Sequence, residues 1–381
     1  MYSKLESLRG VAACLVLLFH SHFIVGNKSL DFVKNSYLFV DFFFILSGFV
    51  LTLAYADKIR GGLAFREYIA LRLGRIYPLH LFMLLVWVPY ILGKQYFISA
   101  GYGGVDQFEH NNLYSFVSNL FLIQGMGVHD YLSWNHPSWS ISVEFFTYIA
   151  FFVLLITLDR KGGKIFPWLV IIPGYAFIFS VNTSGQMDGT YDYGFIRCIA
   201  AFYCGVLLFR WKGEIERLLA RFNIHALEIV AVAFTAAAVS LSHRGDGYLV
   251  LTLVSFCVLL MVFASHSHGV VGRLLDTTPL RSIGLWSYSI YLTHNIILSF
   301  FSNLWEVVFK TLPRNLGIWA ILINIFLLLL TILISRFTYI YIEKYFRDKT
   351  KRLVSRQKEE PSVVVPAVDE AIVPSSKSIT G

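Results

Sequence analysis

The chain has 381 residues, 56% of them hydrophobic and 15% charged, with a mean hydropathy of +0.62. A soluble domain carries about 25% charged residues, so this composition excludes a water-soluble globular enzyme. Apolar runs long enough to cross about 30 Å of hydrocarbon recur from end to end. Alternating segments of roughly ten residues, which mark a membrane barrel, are absent. The expected fold is therefore all-α, a polytopic bundle of membrane helices. The net charge of +8 does not point to nucleic acid, because the basic residues are distributed by loop. Cys14, Cys198, Cys204 and Cys257 all fall in apolar runs and read as reduced thiols, with no disulfide framework and no metal spacing.

In chain order, the first span is expected near 8–26 and is kept as a mature helix, since no small-residue cleavage site follows it. Arg9 and His20 are eleven residues apart on it, almost three whole turns, so both point to one face about 16 Å apart along the axis. The second span, near 36–56, carries Asp41. The third, near 76–98, follows Arg72 and Arg75. Residues 113–125 are apolar but too short to cross, which suits a re-entrant or interfacial helix. Further spans are expected near 139–158 with Glu144, 166–181, 194–210 with Arg197, 224–242, 248–265, 283–304 with His294, and 316–342. From 347 onward the chain turns polar and reads as a disordered tail, leaving one membrane domain over 1–346.

Charge placement gives the orientation. Lys58, Arg60, Arg66, Arg72 and Arg75 crowd one loop, Arg160, Lys161 and Lys164 another, and Arg210, Lys212, Arg217 and Arg221 a third. Residues 99–138 and 182–193 contain no Lys or Arg. By the positive-inside rule the basic loops are cytoplasmic. About ten spans then leave both termini in the cytoplasm of a protein of the inner (plasma) membrane.

The polar residues inside these spans carry the chemistry. Counting 1.5 Å per residue from each helix end, His20, Asp41, Glu144, Arg197 and His294 fall in one outer-half layer, His20 roughly 12 Å below the outer surface. Ionisable groups in a bilayer face the bundle interior and mark sites. Structural readings stand beside this one: Asp41 as a helix-end carboxylate, Arg197 as its counter-ion or that of Glu144, and His294 as a core histidine. Glu144 closes the run Pro137-Ser138-Trp139-Ser140-Ile141-Ser142-Val143-Glu144. Ser140, four residues before it, shares its helix face and can orient the carboxylate. Arg72 and Arg75 are three apart and suit phosphate, or else simply flank the span.

Taken together, five blocks resemble the acyltransferase-3 family of integral membrane acyltransferases, from about Lys4 to Tyr345. They are Leu5-Glu6-Ser7-Leu8-Arg9-Gly10 leading to Phe19-His20, Val40-Asp41-Phe42-Phe43-Phe44-Ile45-Leu46-Ser47-Gly48-Phe49, Arg72-Leu73-Gly74-Arg75, the Trp139-Ser140-x-Ser142-x-Glu144 element, and Tyr288-Ser289-Ile290-Tyr291-Leu292-Thr293-His294. The resemblance implies transfer of an acyl group, usually acetyl, from cytoplasmic acetyl-CoA to a hydroxyl of an extracytoplasmic glycan such as O-antigen, capsule or exopolysaccharide. It implies His20 as the catalytic histidine, with Arg9, Arg72, Arg75 and Glu144 at the other matching positions, and no metal. Many members carry a fused extracytoplasmic esterase-like domain. The polar tail here leads us to expect that the reaction finishes in the bundle or through a separate extracytoplasmic transfer partner.

On this reading Arg72 and Arg75, with Arg9, anchor the donor, and His20 acts as general base or as nucleophile. Glu144 or Asp41 orients the imidazole as a triad carboxylate does. Trp139, Ser140, Ser142, Arg197, Tyr288 and His294 are expected to meet substrate, and Tyr131, Trp134 and Trp139 suit either stacking on sugars or anchoring at the membrane interface. An ion-coupled transporter or flippase is the rival class, since such carriers also gather charges near mid-membrane. A membrane-embedded scaffold or sensor is a third.

Overall fold

The computed structural model describes residues 3–359 apart from 22, 24–29, 103, 183–186, 188, 266–268 and 311–315. Among the described residues every regular element is helical. The first part of the chain forms α1 (Ser3–Phe19), α2 (Asp31–Lys34), α3 (Phe39–Arg60), α4 (Phe65–Phe97) and α5 (Leu113–Leu120). The middle forms α6 (Trp139–Thr157), α7 (Trp168–Val181), α8 (Gly194–Arg210), α9 (Lys212–Leu219), α10 (Ile224–Leu241) and α11 (Asp246–Ala264). The last part forms α12 (Val270–Leu275), α13 (Thr278–Leu285), α14 (Ser287–Phe309), α15 (Ile318–Thr338) and α16 (Tyr345–Glu359).

Each of the ten expected spans corresponds to a helix. Six helical stretches are long and apolar enough to cross a bilayer, or seven if α8 and α9, bent by 66° at their junction, count as one. The remaining three, α1, α7 and α14, differ for visible reasons. α1 stops at Phe19 rather than 26, α7 has only 14 residues, and α14 opens with the polar turns Ser287-Tyr288-Ser289 and Thr293-His294.

Two boundaries correct the sequence reading. α4 starts at Phe65, so Arg66, Arg72 and Arg75 belong to a helix and not to the loop that their charge suggested. At the other end, Tyr339–Lys344 form a π-helical turn that runs straight into α16. The chain is therefore helical through Glu359, where a disordered tail was expected from 347; the remainder of that expected tail, 360–381, lies outside the described residues. Polarity misled here because α16 is amphipathic and has a partner. A Cβ placed on Gly74 of α4 would lie 2.3 Å from Thr350 Oγ1, so the missing side chain at 74 is what lets α16 lie against α4.

The core is built round α3 and α8. A Cβ on Gly48 would fall 1.8 Å from Phe202 O, and one on Gly205 would fall 1.9 Å from Ile45 O. The two backbones therefore touch through glycine, the small-residue packing available to helices that gain no hydrophobic drive from lipid. Ile45, Phe49, Phe202 and Val206 are completely buried beside that contact. α6 packs on both of them and α1 on α3, which fixes the heights of Asp41, Ser47, Glu144 and Arg197 relative to one another.

α5 has the inverse of a soluble amphipathic helix. Leu113, Tyr114, Val117 and Phe121 are exposed, whereas Ser115, Ser118 and Asn119 are buried. Its start is held by a reciprocal cap, Ser115 N to Asn112 Oδ1 at 3.0 Å and Asn112 N to Ser115 Oγ at 3.0 Å. Polar groups inward and apolar groups outward suit a helix lying in a membrane interface. Ser118 Oγ meets His129 Nε2 at 2.5 Å, and burial holds that loop histidine below its ordinary pKa.

Candidate active site

Two cavities meet inside the bundle. The smaller, about 80 Å³, is lined by Arg9 of α1, Ser47 of α3, Arg75 of α4 and Glu144 and Tyr148 of α6, with Tyr288 closing one side. The larger, about 630 Å³, is lined by His20, Tyr37, Trp139 and Arg197, and by the exposed His136 and His243 where it reaches the molecular surface. Val40 and Tyr291 line both and form the wall between them. Arg9 of α1 and His20, which follows the last residue of that helix, thus serve different chambers.

In the small chamber Glu144 is held by two hydroxyls on one oxygen, from Ser47 at 2.5 Å and Tyr148 at 2.6 Å. Ser140 was expected to orient it. Instead Ser140 Oγ turns to Pro137 O at 2.9 Å and Tyr291 Oη at 2.8 Å. The charges around Arg9 are Arg75, Glu343, Glu144 and Glu6. Two guanidinium groups are thus balanced by carboxylates of α6 and of the π-helical turn. Glu343 is buried and accepts from Ser289 Oγ at 3.1 Å. Sequence reasoning missed it by ending the last span at 342. The signal was a lone acid directly after Tyr339-Ile340-Tyr341-Ile342.

Arg72 and Arg75 part company. Successive residues turn about 100° round a helix, so a spacing of three leaves some 60° between them. Arg75 lines the chamber. Arg72 is only 6% exposed, donates to Tyr55 Oη at 2.5 Å and stacks on that ring at 4.5 Å. The pair does not form one phosphate fork at a wet mouth.

In the large chamber His20 follows the last residue of α1. Its Nδ1 lies 2.9 Å from Val16 O and 3.3 Å from His294 Nε2. His294, fully buried, directs its own Nδ1 to Ile290 O at 3.3 Å. A carbonyl can only accept, so in the neutral rings each Nδ1 carries the proton, and the lone pair of His20 sits on Nε2. The orienting partner expected for His20 was a carboxylate. Glu144 lines the other chamber, and both oxygens of Asp41 are taken by Arg197, at 2.9 and 2.6 Å, the pair being 0% and 1% exposed. Asp41 is thus the counter-ion of Arg197, whose third donor reaches Gly189 O at 3.1 Å.

The other expected substrate residues divide. Trp139 lines the large chamber and lies under the Arg197 guanidinium at 5.5 Å. Tyr288 lines the small chamber but spends its hydroxyl on Ile76 O at 2.6 Å, near the Pro78 interruption of α4. Ser142 ties down the loop before α6, donating to Leu122 O at 2.5 Å and accepting from Gly125 N at 3.1 Å. Trp134 is buried with its Nε1 on Ser115 Oγ at 3.0 Å, and Tyr131 stacks on His110. Neither is among the lining residues of the large chamber.

The molecule is therefore a helical membrane-type bundle with an imidazole chamber and an arginine chamber set back to back. The acyltransferase-3 family model, described as an acyltransferase domain, matches residues 2–340. The chain belongs to this family. It is 23% identical over 383 residues to the Bacillus subtilis (strain 168) "Putative peptidoglycan O-acetyltransferase YrhL", covering 93% of this chain and 56% of that protein. It is likewise 23% identical over 370 residues to a "Putative O-acetyltransferase" of Staphylococcus aureus (strain COL), covering 91% of this chain and 57% of the relative. The chain thus spans a little over half the length of these relatives. "Protein 2 in picA locus" of Rhizobium radiobacter is 36% identical over 89 residues, 23% of this chain. No solved structure matches.

Proposed function

We propose that this protein transfers an acetyl group from acetyl-CoA, entering from the side of the basic loops, to a hydroxyl of a glycan on the opposite side of the inner membrane. The observation that carries this reading is the pair of abutting chambers, one lined by Arg9 and Arg75 and the other by His20. Guanidinium groups suit the anionic donor, and a neutral histidine with its lone pair on Nε2 suits hydroxyl activation. The names of the two relatives matched along more than nine-tenths of this chain support O-acetylation as the reaction.

In the base route, Nε2 of His20 takes the proton of the acceptor hydroxyl, whose oxygen forms the new C–O bond at the thioester carbonyl. The C–S bond breaks, and His20 returns the proton to the departing CoA sulfur. In the nucleophile route, Nε2 first forms a C–N bond as the C–S bond breaks. The acceptor oxygen, losing its proton to solvent or to the departing sulfur, then displaces the imidazole. His294 positions the ring in both. The large chamber suits a sugar: Trp139 and Tyr37 supply aromatic surface, and Asp41 neutralises Arg197. Both matched relatives extend well beyond the shared region.

Deleting the gene and recording NMR spectra of the surface glycans tests the reading. The expected result is loss of O-acetyl signals, restored by the parent gene. Unchanged glycan acetylation, together with no turnover of labelled acetyl-CoA by the purified protein, would overturn it and favour a carrier.

A further inference from the structure

The wall between the chambers is built from few atoms. Tyr291 is 5% exposed, and its ring packs edge-on against Phe43 at 5.8 Å. Its Oη lies 2.8 Å from Ser140 Oγ and 3.1 Å from Pro137 O, and Ser140 Oγ lies 2.9 Å from the same carbonyl. Three contacts join three oxygens, but only two hydroxyl protons serve them, since a proline carbonyl only accepts. At any instant one contact lacks a proton. Such a knot holds the ring in place without locking it.

The placement matters because neither chamber is sufficient. The small one has room for a few waters at most, too little to hold a whole donor. His20 lies beyond the wall, and a reacting carbonyl must come within about 3–3.5 Å of the attacking atom. Resting on the acyltransferase reading above, we infer that Tyr291 is the gate of this enzyme. Its phenol swings away from Ser140 and Pro137 to join the two chambers when the acyl group passes, and it closes afterwards to keep water of the outer chamber from the thioester. Ser140 acts through Tyr291 as the latch, which gives the first serine of the Trp-Ser-x-Ser-x-Glu element a task other than orienting Glu144. Val40 is the fixed jamb.

Purified full-length parent, Tyr291→Phe, Tyr291→Trp and Val40→Ala are compared by acceptor-independent hydrolysis of acetyl-CoA and by transfer to a glycan acceptor, after gel filtration in detergent. Tyr291→Phe keeps the ring and removes the latch. Loss of one or two hydrogen bonds shifts a closed-to-open balance by about 3- to 10-fold, so hydrolysis should rise by that factor relative to transfer. Val40→Ala, with the latch intact, should raise the same ratio. Tyr291→Trp should bind donor as the parent does but transfer poorly. A parental ratio in both Tyr291→Phe and Val40→Ala would overturn the gate, as would parental transfer by Tyr291→Trp. Silence of the parent itself toward acetyl-CoA would instead sink the enzyme reading on which the gate rests.

Discussion

Replacing Asp41 by Asn should destabilise the protein strongly, and the size of the effect follows from the geometry. Asp41 and Arg197 are 0% and 1% exposed and share two hydrogen bonds, at 2.9 and 2.6 Å. Asn offers one acceptor and presents an NH₂ group to a guanidinium that has only donors. Arg197 is then left buried and charged without compensation. Removing one member of a buried pair costs about 3–5 kcal/mol, while replacing both by apolar residues of similar volume is often neutral. Asp41→Asn should therefore lose about 3–5 kcal/mol, and Asp41→Leu combined with Arg197→Met should recover most of it. The assay is equilibrium unfolding of purified protein by SDS titration in mixed micelles, followed by tryptophan fluorescence. A single substitution within about 0.5 kcal/mol of the parent would refute the reasoning, as would two single losses that simply add, because residues in contact couple.

Other substitutions separate the remaining roles. Glu144→Gln keeps the hydrogen bonds of Ser47 and Tyr148 but removes a charge that balances Arg9 and Arg75, so turnover should fall about 10²-fold with folding intact by gel filtration. Gly48→Ala places a methyl 1.8 Å from Phe202 O, against backbone that cannot yield. It should cost about 1–3 kcal/mol or more, seen as earlier SDS unfolding. Arg75→Ala should weaken acetyl-CoA binding, measured by calorimetry in detergent. Arg72→Ala should chiefly lower stability, and Arg72→Lys should not restore it, because lysine loses the flat contact with Tyr55.

Much of the bundle was legible because insertion into lipid is so demanding. Arg9, His20, Asp41, Glu144, Arg197 and His294 stand out in apolar runs, and all six come to lie in or beside the two chambers. What was not legible is which of them meet. Helical spacing assigns a face, but not the neighbouring helix or its height. Asp41 pairs with Arg197 and not with His20 because the Gly48–Phe202 and Gly205–Ile45 contacts bring α3 onto α8. Hydroxyls were the weakest signal: Ser47, Tyr55 and Tyr148 look ordinary in an apolar sequence, yet they hold Glu144 and Arg72. The helix through Glu359 was missed because its polar surface hides a narrow face fitted to Gly74.

The central claim is that His20 does the chemistry while Arg9 and Arg75 hold the donor. Turnover of labelled acetyl-CoA with a glycan acceptor, by parent and His20→Ala protein reconstituted in proteoliposomes, tests it most directly. A positioned general base contributes about 10²–10⁴-fold, so His20→Ala should lose turnover by at least about 10²-fold while binding acetyl-CoA with parental affinity. Turnover at the parental rate would contradict the account.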